Sequence, residues 1–248
     1  MSKSEGFTRD EARALLAGGA PDAADWDVVS RLLLDRFSCR AFLPQPVPRQ
    51  TLEEIFAAAQ FSPSWCNAQG WQLIVTQGAA TERLREALFA KAGEASAGSQ
   101  PDIPFPAAYE GVFGQRRREA GVALYESAGI TRQDKTGAVA LMRENYRLFG
   151  APHAAILTVE ADLGTYGVLD CGIYLGNLLQ LLQSRGIASI AQGALPRFAP
   201  LLRDHFDIPA NRRIVCGISF GYADPASPLN QFRTTRARTD AAVQWCDS

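Results

Sequence analysis

Apolar residues recur along this chain with two alternating periods, which divide it into helices interleaved with short strands. The helical spacing is clearest after Pro44, Pro46 and Pro48, where Leu52, Ile55, Phe56 and Ala59 fall at i, i+3, i+4 and i+7. Thr51 and Glu54 have the spacing of a capping box near its start. Ser62 precedes Pro63, is steered out of helical backbone, and marks the end of that helix. Further helices are expected over residues 9–17, 27–36, 81–90, 116–127, 136–148, 168–185 and 199–206. Strands are expected over 71–76, 153–159, 187–191 and 213–221. Residues 92–111 are rich in Gly, Ser, Ala and Pro, and read as a lid rather than a linker, because the elements beyond them are too few for a second core. The 248 residues are therefore expected to form one domain, with a lid over about 92–133 and a tail over about 224–248.

Composition narrows the partners. A hydrophobic fraction of 47% against 21% charged residues is enough for a real core and argues against disorder. Lys+Arg 25 against Asp+Glu 26 leaves a net charge of −1, which argues against a nucleic acid or other polyanion as partner. Five cysteines without a C-x-x-C pair suggest neither a disulfide framework nor a thiolate zinc site, and two separated histidines, His153 and His205, make no metal set. No leader-like or membrane-spanning run is visible, so a cytoplasmic protein off the membrane is expected.

Nucleotide fingerprints are missing: the chain has no G-x-G-x-x-G and no P-loop. Gly217-Ile218-Ser219-Phe220-Gly221 fits G-x-S-x-G, but no helix follows the serine and both histidines precede it, so a strand with closely packed glycines is the better reading. Two other segments carry chemistry. Arg36-Phe37-Ser38-Cys39-Arg40-Ala41-Phe42 sets two guanidiniums and a hydroxyl on alternate residues, hence on one side of an extended strand, suited to a phosphate or to a solvated surface turn. Pro63-Ser64-Trp65-Cys66-Asn67-Ala68-Gln69-Gly70-Trp71 carries two amides and two indoles, suited to the polar edge of a ring or to a self-bonded turn.

Taken in order, these segments resemble the FMN-dependent nitroreductase family, through its R-x-S-x-R-x-F and P-S-x-x-N-x-Q-x-W elements. The similarity extends over about residues 25–245 and includes Leu148 to His153, Leu169-Asp170, Gly186-Ile187 leading to Gln192, and an arginine-bearing tail. Residues 104–134, with Tyr109, Arg116 to Glu119 and Thr131 to Asp134, are similar to the branch that includes nitrobenzoate reductases. Gly70, where the family often has Pro before the Trp, and Arg238, where Pro is common, depart from the pattern.

The resemblance implies an α+β fold in three layers, a mixed central sheet flanked by helices, and an interlocked homodimer with an extended C-terminal arm. It implies that Arg36, Ser38, Arg40, Arg236 and Arg238 hold the FMN phosphate and ribityl end. Pro63, Ser64, Trp65, Asn67 and Gln69 would meet the flavin along its face and polar edge, and Gln192 and Gly193 would lie near the ring through backbone N–H groups. Trp65, Phe105, Tyr109 and Phe113 are candidate stacking walls for an aromatic substrate. Gly172 and Gly176, four residues apart, suit either close internal packing or the dimer. The implied activity is ping-pong hydride transfer from NADH or NADPH to nitroaromatics, giving nitroso and hydroxylamino products, with the chemistry carried by the cofactor rather than by a catalytic side chain. The alternatives are reduction of quinones, activated alkenes or halogenated phenols on the same fold, or a non-catalytic FMN-binding redox module.

Overall fold

The computed structural model describes residues 24–95 and 98–246, together with Thr8 and Asp10. The helix expected over 9–17 lies outside them except at Asp10. Seven α-helices occur among the described residues: α1 (Ala24–Asp35), α2 (Arg49–Ala59), α3 (Ala79–Lys91), α4 (Gly111–Ser127), α5 (Lys135–Arg143), α6 (Gly164–Ser184) and α7 (Ala199–Phe206). They surround a sheet of β1 (Trp71–Gln77), β2 (His153–Glu160), β3 (Ala188–Gln192) and β4 (Arg212–Gly221), in the order β1-β2-β4-β3. All four strands pair antiparallel, and the parallel character expected of a mixed sheet is confined to an isolated bridge between Ser38 and Ser189.

The layers follow from strand alternation. In β2, Ala154 and Ile156 face one core with Leu84 and Leu88 of α3 and Leu202 of α7. Ala155, Leu157 and Val159 face the other, with Leu52 and Ile55 of α2 and Tyr174, Leu178 and Leu182 of α6. Seven of the eight β2 residues are buried, as suits a strand covered on both faces. In β4 the alternation breaks. A bulge between the pairs Leu157–Cys216 and Thr158–Ile214 sends Ile214 to the α3 side while Cys216, Ile218 and Phe220 face α6.

Two expectations need correction. Helix α2 begins at Arg49, after Pro48 in the cap position and without a side-chain cap, so Thr51 is already inside the helix and forms no capping box. The helix expected to reach Leu148 stops at Arg143. A 3₁₀ stretch follows in which Leu148 and Phe149 take left-handed backbone (φ 58° and 52°), and both are buried in the α3-side core. The helix expected over 116–127 within the lid is present as α4, which starts earlier, at Gly111, and whose one buried residue is Gly114.

His153 opens β2 with 1% exposure, stacks on Phe220 at 5.3 Å, and accepts the Val47 N–H at Nε2 (2.9 Å). Burial lowers its pKa from 6.5, so the folded state keeps it neutral. Its stabilising effect is therefore intact above pH 6.5 and is lost as the pH falls below that value, because the unfolded chain takes up the proton first. Urea unfolding at pH 7.5 and 5.5 should show a loss of stability that is missing from His153→Gln. Equal pH slopes in both proteins would contradict this assignment.

Candidate functional site

The segment Arg36 to Phe42 runs extended along the β3 edge. Cys39 donates its N–H to the Ser189 carbonyl (3.1 Å), next to the Ser38–Ser189 bridge. From nearly the other end of the chain, the tail returns past it. Asn230, 3% exposed, accepts the Arg40 N–H (2.9 Å) and donates to the carbonyls of Ala41 and Asp224 (both 2.8 Å). One small pocket results, lined by Arg36, Phe37, Ser38 and Arg40 from the first segment and by Phe232, Arg233, Thr234 and Arg236 from the second.

Four guanidiniums and two hydroxyl side chains thus line one pocket with no carboxylate in its wall. Burial and the nearby Arg236 hold the Arg36 pKa below its ordinary value, and burial does the same to Arg40. The Arg233 guanidinium lies 3.9 Å over the Phe37 ring, and Arg40 lies 5.9 Å from the Phe232 centroid, so two of the cations are steered by rings. Arg236 Nη1 donates to Thr234 Oγ1 (2.6 Å). Beneath them the Cys39 thiol is pushed up to about 11 by burial, which outweighs the Ala41 hydrogen bond and keeps the thiol neutral. A dianionic phosphate fits this donor set, since a buried anion needs several charge-assisted bonds and a cationic cluster gains from a counter-charge.

Arg238 does not join the pocket. The chain turns after Arg236 into a 3₁₀ helix (Thr239–Ala241) with Arg238 in its cap position. Arg233 does join, and sequence reasoning placed it only in the tail's group of arginines. The signal that marks it is Phe37 between the two first-segment cations, a ring available to a fourth.

The second segment is held elsewhere. Pro63 to Gly70 lead into β1, the edge of the sheet opposite β3, and none of them lines the arginine pocket. A 3₁₀ turn (Trp65–Asn67) forms there, and Cys66, Asn67 and Gln69 take positive φ (51°, 56° and 49°). Ser64 Oγ accepts the Gln69 N–H (3.0 Å), closing the loop on itself. The Gln69 amide is occupied by Gln60 (3.2 Å) and the Asn67 carbonyl (3.1 Å), and Gln60 in turn accepts the Trp71 indole N–H (3.1 Å). Gln69 therefore has its amide committed to the loop wall, although it is exposed, whereas Asn67 and Trp65 are exposed and offer their side chains outward. A Cβ at Gly70 would press on the tip of the Leu163 side chain.

At the end of β3, the Gln192 side chain is buried between the Ser219 hydroxyl, which donates to it, and the Asn145 carbonyl, to which it donates (2.9 Å). Its amide is thus committed internally, and the next residue, Gly193, faces open space. Ser219 has zero exposure within β4 and makes no nucleophile. The four candidate aromatic walls are all exposed. The ring against Trp65 is Tyr166 at 5.0 Å, a neighbour not singled out from the sequence, and Tyr109 lies under the Arg117 guanidinium at 5.4 Å.

Known proteins resemble this chain in sequence and in fold. The chain is 36% identical over 210 residues to nitroreductase NfnB of Mycolicibacterium smegmatis, covering 84% of this chain and 88% of that one. It is 32% identical over 238 residues to a 4-nitrobenzoate reductase of Nocardioides sp., covering 94% of each. The crystal structure of the FMN-dependent nitroreductase NfnB from Mycobacterium smegmatis in complex with NADPH superposes with a TM-score of 0.84 at 33% identity, over 89% of this chain and 99% of that one. The FMN and NADPH-dependent NfnB from sphigopyxis sp. strain HMH gives 0.85 at 32% identity, over 88% and 99%. With residues 33–222 matching the family profile from just before the arginine segment to the end of β4, the chain belongs to the nitroreductase family.

Proposed function

We propose that this protein is an FMN-dependent NAD(P)H oxidoreductase that reduces nitroaromatic compounds. The observation that carries the reading is the convergence of Arg36, Ser38 and Arg40 with Arg233 and Arg236 on one pocket, a donor set suited to the FMN phosphate. Relatives whose names specify nitrobenzoate and nitrobenzene reduction support the substrate class. When bound, FMN supplies the two-electron hydride chemistry. The chain's residues hold its phosphate, present Asn67 and the Gly193 backbone to its polar edge, and offer Trp65, Phe105, Tyr109 and Phe113 as apolar walls that exclude water and orient a flat acceptor.

The reading requires two copies. The arginine pocket lies at one sheet edge and the Pro63–Gly70 loop leads into the other, so a homodimer is the arrangement that brings both to one flavin. Uncovered apolar surface supports it. Helix α1 buries none of its residues, Trp26, Val29 and Leu33 are exposed, and Trp245 in the tail is 81% exposed. On α6, Cβ atoms at Gly172 and Gly176 would meet nothing, and Leu169 and Ile173 beside them are exposed. These glycines therefore serve a docking face instead of internal packing. Leu169→Glu with Ile173→Glu should weaken dimerisation by at least about 100-fold, read by light scattering. A double variant as dimeric as the wild type would remove α6 from the interface.

The whole chain acts as one flavin-binding unit with the lid and arm as appendages. Among the described residues no helix is long and apolar enough to cross a membrane, and the five cysteines are free, in keeping with a reducing cytoplasm. The activity test is NADH or NADPH oxidation by the FMN-loaded protein. Consumption that depends on added 4-nitrobenzoate and yields the hydroxylamino product is expected. Loaded protein that consumes neither nucleotide would leave only the non-catalytic module.

A further inference from the structure

The loop from Ser62 to Gly70 holds three non-glycine residues in left-handed backbone, yet from Pro63 to Gln69 every residue but Ser64 is exposed in the single chain, so hydrophobic burial within its own chain does not hold it in shape. Such backbone persists only where surrounding groups over-determine it. Polar contacts supply the restraint. Asn177 donates to Ser62 Oγ (2.9 Å), which itself donates to the Ala59 carbonyl (2.7 Å). At the other end, Arg212 Nη2 donates to the Gly70 carbonyl (3.1 Å). Between them, Asp170 Oδ1 accepts the Trp65 N–H (3.0 Å), and the Tyr166 ring lies against the Trp65 indole. Tyr166, Asp170 and Asn177 stand four and seven residues apart, a single stripe along α6.

Asp170 is the exceptional member. It is the one buried carboxylate among the described residues, at 3% exposure, in the most apolar helix of the fold. A carboxylate there is costly unless it makes hydrogen bonds, and a packing role alone would be met by an apolar side chain. Its bond reaches the first residue of the 3₁₀ turn, immediately before Cys66 and Asn67, the first two of the strained residues.

We propose that Asp170 is a positioning residue: through the Trp65 amide it locks the strained loop so that Trp65 and Asn67 face the flavin. The flavin part of this rests on the function proposed above; the loop part does not. The test uses Asp170→Ala, which removes the acceptor, and Asp170→Asn, which keeps an oxygen in its place. Two quantities are read: hydrogen exchange of the Trp65 amide without flavin, and the rate of FMN release from loaded protein by the recovery of flavin fluorescence. Asp170→Ala should speed both by at least about tenfold, and Asp170→Asn should stay within about threefold of wild type. Wild-type exchange in Asp170→Ala, or Asn as damaging as Ala, would overturn the proposal. Should the alanine variant fail to fold, Asp170→Asn decides: a protected Trp65 amide supports the role and an unprotected one overturns it. A wild-type chain that takes up no FMN would contradict the cofactor assignment alone, since the exchange readout needs no flavin.

Discussion

Replacing Arg36 or Arg236 with alanine is expected to weaken FMN binding by about 10- to 100-fold, the loss that follows from removing a charge-assisted hydrogen bond worth about 1.5–3 kcal/mol. The two residues come from nearly opposite ends of the chain and meet in one pocket, where burial, with Arg236 nearby, holds the Arg36 pKa below its usual value. Each alanine variant should bind FMN poorly and still fold when no FMN is present. Arg238→Ala, outside the pocket, should retain FMN like the wild type. Equilibrium titration of the stripped protein, with thermal unfolding of the same samples, checks all three. Full FMN affinity in both Arg36→Ala and Arg236→Ala would show that the phosphate lies elsewhere.

The largest effect on the fold is expected from Phe220→Ala. Phe220 is 1% exposed, meets Phe56 edge-on at 6.5 Å, and lies parallel to His153 at 5.3 Å. Deleting the ring should cost about 3–5 kcal/mol from lost transfer and the remaining cavity, lowering Tm by roughly 6–20 °C at about 2–4 °C per kcal/mol for a domain of this size. Calorimetry of the FMN-free protein measures it. A shift under about 3 °C would mean that the α6-side core closes around the gap, and the packing described for β4 would need revision.

How far the chain could be read from its letters depends on the range of the interaction. Strand β2 was legible because its apolar run is local, and α2 because its stripe repeats within eleven residues. The arginine segment was legible as alternate cations, but Arg233 owes its place to a ring nearly two hundred positions away. The left-handed pair Leu148 and Phe149 left no local trace, since neither residue type favours positive φ and it is tertiary burial that overrides their preference. The β4 bulge is equally silent: Ile214, Cys216 and Ile218 alternate evenly in sequence, and only pairing with β2 sends the first to the other face. In the second segment the residue types left a ring-binding edge and a self-bonded turn both open, and the fold bonds Gln69 into the turn while leaving Asn67 outward. Asp170 was visible only as part of the family pattern, because its partner is a backbone amide, and backbone partners have no letter.

The central claim is that this chain carries FMN and passes reducing equivalents to a nitroaromatic. The visible spectrum of the purified or FMN-reconstituted protein under anaerobic conditions tests it most directly. The expected result is a flavin spectrum that bleaches on adding NADPH or NADH and returns on adding 4-nitrobenzoate. A colourless protein that cannot be reconstituted with FMN, or a bound flavin that neither nucleotide bleaches, would contradict it.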